Sequence, residues 1–160
     1  MTSILESIPQ PANRVESYLE GRPMGEVRAK IKFTNVADAA AAAHGMIAPD
    51  EVRTYEADAM VDTGSATTVI PRHVYDSLGV DPMGTRRVEF ADGRSEDVLV
   101  TFPLIVEIMG RKTSDECSVL GNEVLIGQTI LEKTDLLVDC LHGKLVPNPA
   151  HPDQVILKVK

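Results

Sequence analysis

The stretch MVDTGSATTVI, residues 60–70, decides how this 160-residue chain is interpreted. An apolar run leads to Asp62, a turn of Thr63, Gly64 and Ser65 follows, and a β-branched run completes the segment. The pattern predicts a buried strand, a turn that directs one carboxylate out of the sheet, and a second strand. Gly64 would let a bound molecule approach the backbone, and the turn amides with the hydroxyls of Thr63 and Ser65 could hold the carboxylate. Asp62 is therefore the candidate reactive group.

One carboxylate cannot act both as a proton donor and as a proton acceptor. A lone carboxylate ionises near pH ~4 and is a poor donor at neutral pH, whereas two carboxylates about 4 Å apart repel by about 4 kcal/mol and retain one shared proton. Such a pair could activate a water and protonate a carbonyl oxygen or leaving amine without a metal. Because DTG occurs once, the second carboxylate must come from another copy of the chain, which predicts a homodimer.

The rest of the chain consists of short alternating segments with a few brief helices. EVRAKIKF alternates apolar and charged residues and predicts a half-buried strand. A helix that Asn35 caps follows it, and Pro71 and Gly79 bound a second helix. Asp92-Gly93 joins two β-rich segments as a hairpin, and QVILKVK alternates as a last strand. The fold class is therefore mainly β, with a closed or folded-over sheet.

Length and composition favour one domain at residues 25–160, preceded by an arm. Residues 1–24 are polar, carry three prolines and show little periodicity. The chain has 24 acidic and 16 basic residues, which disfavours binding to nucleic acid or to anionic membranes. Its longest low-charge run, Val98 to Val106, is far shorter than the roughly 20 residues that cross a bilayer.

Neither cysteine nor histidine spacing indicates a metal site. Cys117 and Cys140 lack a Cys-x-x-Cys pattern or a nearby histidine, and the four histidines lie in separate segments. The N-terminus has no basic start followed by an apolar block, so no secretory signal is expected. We expect reduced thiols, a cytoplasmic location, and neither metal nor cofactor.

Two motifs together resemble the retropepsin-like aspartic proteases, the homodimeric group to which the retroviral proteases belong. One is VDTGS followed by TTVIP, and the other is VLIG at Val124–Gly127, followed by a short helix and DLLVDCLHGKLVPNP. The resemblance covers roughly residues 25–149. It implies a single-domain closed β-barrel with one or two short helices, and an endopeptidase that acts on a peptide or protein substrate.

The resemblance also implies roles for individual residues. Asp62 matches the catalytic aspartate, Thr63 the residue that braces the two active-site turns across the dimer, and Gly64 the close-approach glycine. The hairpin of Ala91, Asp92, Gly93 and Arg94 falls where the family carries the flap that closes over the substrate. The terminal segment QVILKVK is a candidate strand between subunits.

The chain departs from the retroviral members in three places. Its flap tip, ADGR, is polar and charged rather than glycine-rich. A helix-bearing insertion from Val36 to Asp50 separates the first strand from the catalytic strand, and the arm at residues 1–24 is unmatched. These departures bear on flap closure and on peptide preference.

Three other interpretations of the Asp62 turn stay open. Asp62 could cap a turn without chemistry, because Asp-x-Gly turns are abundant. The turn could handle phosphate, as in sugar kinases, although the sequence contains no glycine-rich loop that leads into a helix. The third interpretation keeps the fold and the dimer but makes the protein a catalytically silent peptide- or protein-binding module.

Overall fold

The computed structural model describes residues 25–160 and consists of strands with three short α-helices. The predicted arm, residues 1–24, lies outside the described residues. The strands are β1 (Arg28–Asn35), β2 (Thr54–Val61), β3 (Thr68–Ile70), β4 (Pro82–Glu89), β5 (Ser95–Thr101), β6 (Leu104–Ile108), β7 (Arg111–Asp115), β8 (Cys117–Val119), β9 (Leu125–Ile126), β10 (Leu136–Asp139) and β11 (Lys144–Pro147). The helices are α1 (Val36–Ala43), α2 (Arg72–Leu78) and α3 (Gln128–Thr134), and Pro49–Glu51 forms a 3-10 turn. The prediction of a mainly β fold is confirmed, but residues 25–160 contain three short α-helices where one or two were predicted.

Nine strands form one mixed sheet in the order β4-β5-β8-β3-β9-β2-β1-β6-β7, and β10 and β11 form a separate pair. The β2–β9 and β3–β8 pairs are parallel, which brings the segment after Asp62 beside the segment around VLIG. The predicted closed barrel is not confirmed, because this order leaves β4 and β7 as unpaired edges among residues 25–160. β4 extends away from the body, and seven of its eight residues are exposed.

The core lies on the face to which alternate residues of β1 and β6 point. Ile31 pairs with Ile108 and Phe33 with Val106, and all four side chains are at most 2% exposed. The alternation in EVRAKIKF therefore describes the buried face correctly for Ile31 and Phe33. Each such side chain stabilises the fold by about 1.5–3 kcal/mol on burial.

The helix-bearing insertion is tied to the body at the residue that precedes it, Asn35 at the end of β1. Asn35 caps α1 as predicted, since its Oδ1 accepts a hydrogen bond from the Asp38 amide at 3.0 Å. The Asn35 Nδ2 also donates to the Leu78 carbonyl at the end of α2, 2.8 Å away. Asp38 accepts from the Arg53 Nε at 2.7 Å. α1 is thus held from both flanks, and its own residues remain exposed or half-buried.

Both residues predicted to bound α2 do so, Gly79 as predicted and Pro71 one position earlier than the predicted first helical position. Pro71 precedes the first helical residue rather than occupying it, with an extended backbone at φ −65° and ψ 161°. Gly79 ends α2 at φ 58°, a left-handed conformation that favours glycine.

The prediction of a last strand at QVILKVK is wrong for the single chain. Residues after Pro147 form no strand, and Ile156, Leu157 and Val159 are 42%, 61% and 94% exposed. Alternation shows that one face of a strand would be apolar, but it cannot supply a neighbouring strand to pair with. The apolar residues of this tail are therefore left in contact with solvent.

Asp135 fixes the segment that leads into this tail. It ends α3 in the left-handed conformation at φ 53°. Its carboxylate accepts hydrogen bonds from the Asn148 Nδ2 at 2.9 Å and from the His151 Nδ1 at 2.7 Å. Arg111 donates to the backbone carbonyls of Thr134, Asp135 and His151 within 2.9 Å. These contacts fasten residues 148–151 against the end of α3.

The hydrogen bonds to the Asp135 carboxylate predict that the fold becomes less stable at acid pH. The hydrogen bond from Asn148, assisted by that from His151, holds the pKa of the Asp135 carboxyl below its ordinary value. A carboxyl whose folded pKa is lowered stabilises the fold above its unfolded pKa of about 4, and this contribution is lost as the pH falls through the folded value. We expect the urea midpoint of Asp135→Asn to fall less than that of the parent between about pH 7 and about pH 3.

Asp153, an exposed carboxylate in the same segment, supplies the control. Asp153→Asn should lose stability on acidification as the parent does. Equal acid-induced losses in Asp135→Asn and in the parent would contradict this role of Asp135.

Candidate active site

Asp62 lies directly after β2, where the turn that follows it meets the VLIG segment. Val61 is paired with Ile126 across the parallel β2–β9 ladder. The Asp62 amide donates to the Ile126 carbonyl at 2.9 Å. The two motifs that the sequence places more than 60 residues apart are therefore adjacent in the fold.

Backbone amides, and not the predicted hydroxyls, hold the Asp62 turn. The Gly64 amide donates to Asp62 Oδ1 at 3.0 Å, and the Ser65 amide donates to the Asp62 carbonyl at 3.1 Å. The Ser65 hydroxyl donates instead to the Thr67 carbonyl at 2.7 Å. Thr63 is exposed, and its hydroxyl has no hydrogen bond within residues 25–160. The carboxylate is thus oriented by one amide, with its second oxygen free for chemistry.

The start of α3 supports the loop that follows this turn. The Gln128 amide donates to the Ser65 carbonyl at 2.8 Å. The Thr129 hydroxyl donates to the Ala66 carbonyl at 2.5 Å. These residues were not predicted from the sequence, since only their position next to VLIG could have indicated them.

Gly127 permits the close contact between these two segments. Its amide donates to the buried Thr68 hydroxyl at 3.0 Å. A Cβ at this position would lie 2.4 Å from the carbonyl carbon and oxygen of Thr67, which is far inside van der Waals contact. The backbones of the two segments can pack this closely only because residue 127 is glycine.

Asp62 opens into a cavity of about 400 Å³ beneath the β4–β5 hairpin. Asp62, Gly64 and Ser65 line one side of it. Residues Val88, Glu89, Phe90 and Ala91 of the hairpin also line it. The predicted flap hairpin and the predicted catalytic carboxylate therefore line the same cavity.

Only part of the predicted flap set reaches this cavity. Ala91 lines it, whereas Asp92, Gly93 and Arg94 form the tip of the hairpin. The Arg94 Nε donates to the Asp92 Oδ2 at 2.7 Å, and the Arg94 guanidinium lies over the Phe90 ring, 5.3 Å from its centroid. The Arg94 amide, and then its guanidinium, hold the pKa of the Asp92 carboxyl below its ordinary value. The charged groups at the tip are thus satisfied by each other.

Val88 and Phe90 are cavity residues that the sequence did not single out. Both belong to the alternating segment before the predicted tip, and both are half-buried. Apolar residues on an exposed hairpin could have indicated a binding surface, because such a hairpin has no core of its own for them to fill.

The comparison with protein families identifies the class to which the chain belongs. The family model described as "gag-polyprotein putative aspartyl protease" matches residues 50–133, which is more than half of the chain. The chain belongs to this family. The matched range of this aspartyl protease family member contains the Asp62 turn, the β4–β5 hairpin and most of α3. β1 and α1 precede the matched range.

Solved structures similar to this family member include two retroviral proteases. One is the EIAV protease complexed with the inhibitor HBY-793, with 20% identity and a TM-score of 0.43. The match covers 48% of this chain and 75% of the EIAV protease chain. The foamy viral protease-reverse transcriptase in complex with an RNA/DNA hybrid has 22% identity, a coverage of 48% of this chain and a TM-score of 0.40. Only 10% of that longer chain is matched. No curated protein matches the chain.

Other features of the aspartyl protease family member bear on the remaining expectations. Residues 25–160 contain no group of three or more histidine, cysteine, aspartate or glutamate side chains placed to hold a metal ion. No helix in the same range is long and apolar enough to cross a membrane. Cys117 and Cys140 are both free, as expected. The cytoplasmic location stays a prediction.

Proposed function

We propose that this aspartyl protease family member is an endopeptidase that hydrolyses peptide bonds with a water activated by two Asp62 carboxylates, one from each subunit of a homodimer. One observation carries the proposal: Asp62 and the hairpin residues Val88–Ala91 line one and the same cavity. A cleft of about 400 Å³ is large enough for the side chains of a bound peptide. A carboxylate that lines the same cavity as this hairpin can act on a peptide bound there.

The reaction follows from one proton shared by two acids. The ionised Asp62 accepts a proton from water, and the water oxygen forms a bond to the carbonyl carbon of the peptide. The protonated Asp62 of the other subunit gives its proton to the carbonyl oxygen, which produces a neutral tetrahedral diol. Transfer of a proton to the amide nitrogen then lets the C–N bond break, and a carboxylic acid and an amine leave. The Gly64 amide keeps the first carboxylate in its rotamer throughout.

A second copy is needed because the groove of one chain has no other suitable acid. Glu89 is the other carboxylate residue along the cavity, but it pairs with Ser95 on the face of the hairpin opposite to that of Val88. The exposed Thr63 hydroxyl is available to a partner turn.

The C-terminal region offers the surface for a second copy. The β10–β11 pair is separate from the main sheet, and an isolated two-stranded sheet is marginally stable. Leu137 within β10 and Leu141 in the turn between β10 and β11 are 46% and 87% exposed. Together with Ile156 and Leu157 of the tail they leave an apolar surface that a dimer would cover.

The test combines peptide cleavage with a measurement of mass. We expect the protein to cleave members of a peptide library at mildly acidic to neutral pH, and a peptide mimic with a hydroxyl at the scissile position to inhibit it. Activity per chain should fall on dilution in step with dissociation of the dimer in sedimentation. Full activity of a protein that sediments only as a monomer at micromolar concentration would contradict the shared-acid mechanism.

The hairpin tip favours one alternative, the catalytically silent peptide-binding module. Asp92 binds Arg94, and the Arg94 guanidinium lies over the Phe90 ring, so both charged side chains are engaged within the tip itself. Peptide binding without any cleavage, by a protein shown to be dimeric, would support this alternative over the endopeptidase.

A further inference from the structure

Besides Ser65, whose hydroxyl binds the Thr67 carbonyl, two further residues with hydroxyl groups line the cavity beside Asp62, and the proposed reaction does not use them. Thr67 Oγ1 and Ser118 Oγ lie 3.3 Å apart, although 51 residues separate them in the sequence. Both residues line the cavity. Ser118 is 1% exposed and Thr67 is half-buried. The pair therefore forms a polar spot on the floor of the groove.

The strand registers show that these side chains face the groove. Val69 lies opposite Ser118 in the β3–β8 pair and opposite Leu125 in the β3–β9 pair, and directly opposed residues share one face of a sheet. Thr67 lies in the bend directly before β3; it lines the same cavity, and its hydroxyl lies 3.3 Å from that of Ser118. Thr68 points to the other face, where its hydroxyl accepts from the Gly127 amide.

The subsite that results has apolar walls and a polar floor. Val69 and Leu125 flank the hydroxyl pair, and Val88 of the hairpin adds a third apolar wall. None of the five side chains carries a charge, so a charged substrate group would lose water here without meeting an opposite charge. The subsite therefore fits an uncharged side chain.

The hydrogen-bond donors and acceptors of the two hydroxyls further restrict which uncharged side chain fits the subsite. Each hydroxyl has one proton to donate and two lone pairs to accept with. One of the two protons is used between Thr67 and Ser118, and the other has no acceptor among residues 25–160. An apolar substrate side chain would leave that proton unpaired in a half-buried site, whereas a carboxamide can accept it and donate in return.

We propose that this subsite selects a carboxamide side chain, that of asparagine or glutamine, over the apolar side chain of the same shape. The inference deepens the proposed function, because it rests on the groove being the place where a peptide binds. One neutral hydrogen bond changes recognition by about two- to tenfold. The selectivity is therefore moderate, and it resides in Thr67 and Ser118.

The test uses matched peptides and matched variants. Peptides that differ only by asparagine against leucine, or glutamine against methionine, are compared at each position around the cleaved bond. In the double variant Thr67→Val/Ser118→Ala, we expect the ratio of kcat/KM for the carboxamide to that for the apolar peptide to fall about two- to tenfold at one position. Thr67→Ser should retain the ratio, because it keeps the hydroxyl.

A control variant separates selectivity from general damage. Thr54 is an exposed residue at the start of β2, outside the cavity, and Thr54→Val should leave both the ratio and the activity unchanged. A ratio that stays the same in the double variant, while the parent cleaves both peptides, overturns the subsite and leaves the endopeptidase intact.

A binding measurement keeps the two proposals distinguishable. Asp62→Asn, which removes the proposed acid, is titrated with the same fluorescent peptides by anisotropy, with and without the two hydroxyl substitutions. A carboxamide preference in binding that the substitutions abolish, with no cleavage by the parent, supports the subsite and overturns the endopeptidase. Absence of both binding preference and cleavage overturns both.

Discussion

Asp62→Asn is expected to lower kcat/KM for peptide cleavage by about 10³- to 10⁴-fold. An asparagine amide can neither take a proton from water nor share one with a partner carboxylate. The change should leave the fold intact, because the Asn Oδ1 can still accept the 3.0 Å hydrogen bond from the Gly64 amide. Steady-state cleavage of a peptide identified in a library, with thermal unfolding of both proteins, measures the two effects separately.

Asp50→Asn provides the matched control for this substitution. Asp50 is an exposed carboxylate in the 3-10 turn, and its side chain has no ion-pair partner among residues 25–160. Its loss should change neither activity nor stability by a measurable amount. Undiminished cleavage by Asp62→Asn would remove Asp62 from the reaction and with it the proposed mechanism.

Gly127→Ala is expected to damage both stability and catalysis. A Cβ would lie 2.4 Å from the Thr67 carbonyl and 2.9 Å from the Thr68 nitrogen, so the backbone of one segment must move. Gly127 itself has φ −84°, which any residue adopts, so the cost comes from contact and not from backbone strain. Overpacking of this kind destabilises a protein by about 1–3 kcal/mol.

The activity of Gly127→Ala should fall further than its stability accounts for. The displaced backbone carries the Gln128 amide that binds the Ser65 carbonyl, next to the Asp62 turn. A misplacement of about 1 Å at reacting groups can cost about 10²-fold in rate. Denaturant unfolding together with kcat, measured where the variant is fully folded, tests both parts.

Gly45→Ala is the control for this substitution. Gly45 has φ 70°, and a Cβ added there would have no neighbouring atom within 4 Å, so alanine meets backbone strain without a clash. We expect a loss of about 1–2 kcal/mol and unchanged kcat. If Gly127→Ala has the same modest effect and an unchanged kcat, the close packing at Gly127 does not position the catalytic turn.

Local signals in the sequence predicted local structure well. Asn35 caps α1 because its side-chain oxygen reaches the free backbone amide of Asp38, three residues later. This contact is local and does not depend on the rest of the chain. Asp92-Gly93 makes the predicted hairpin because Gly93, at φ 84°, accepts a backbone conformation that other residues avoid. The position of the Asp62 turn was predictable from another local signal, the apolar run that ends directly before Asp62.

Contacts between distant segments were not predictable. The alternation in QVILKVK is compatible with a strand, but pairing depends on a partner that residues 25–160 do not supply. The Thr67–Ser118 pair depends on the parallel register of β3 and β8, which no local pattern specifies. The sheet can close into a barrel only if its two edge strands pair with each other. The edges of the sheet are β4 and β7, which lie at opposite ends of the strand order, and β4 is exposed.

The unequal burial of the two cysteines makes the chain suitable for site-selective labelling. Cys117 is 0% exposed, and burial raises the pKa of its thiol, so the reactive thiolate is scarce there. Cys140, exposed directly after β10, would react first with a maleimide dye. Because Cys140 lies between Leu137 and Leu141, a bulky dye there should hinder association if a second copy covers this surface, and sedimentation of labelled and unlabelled protein would show the difference.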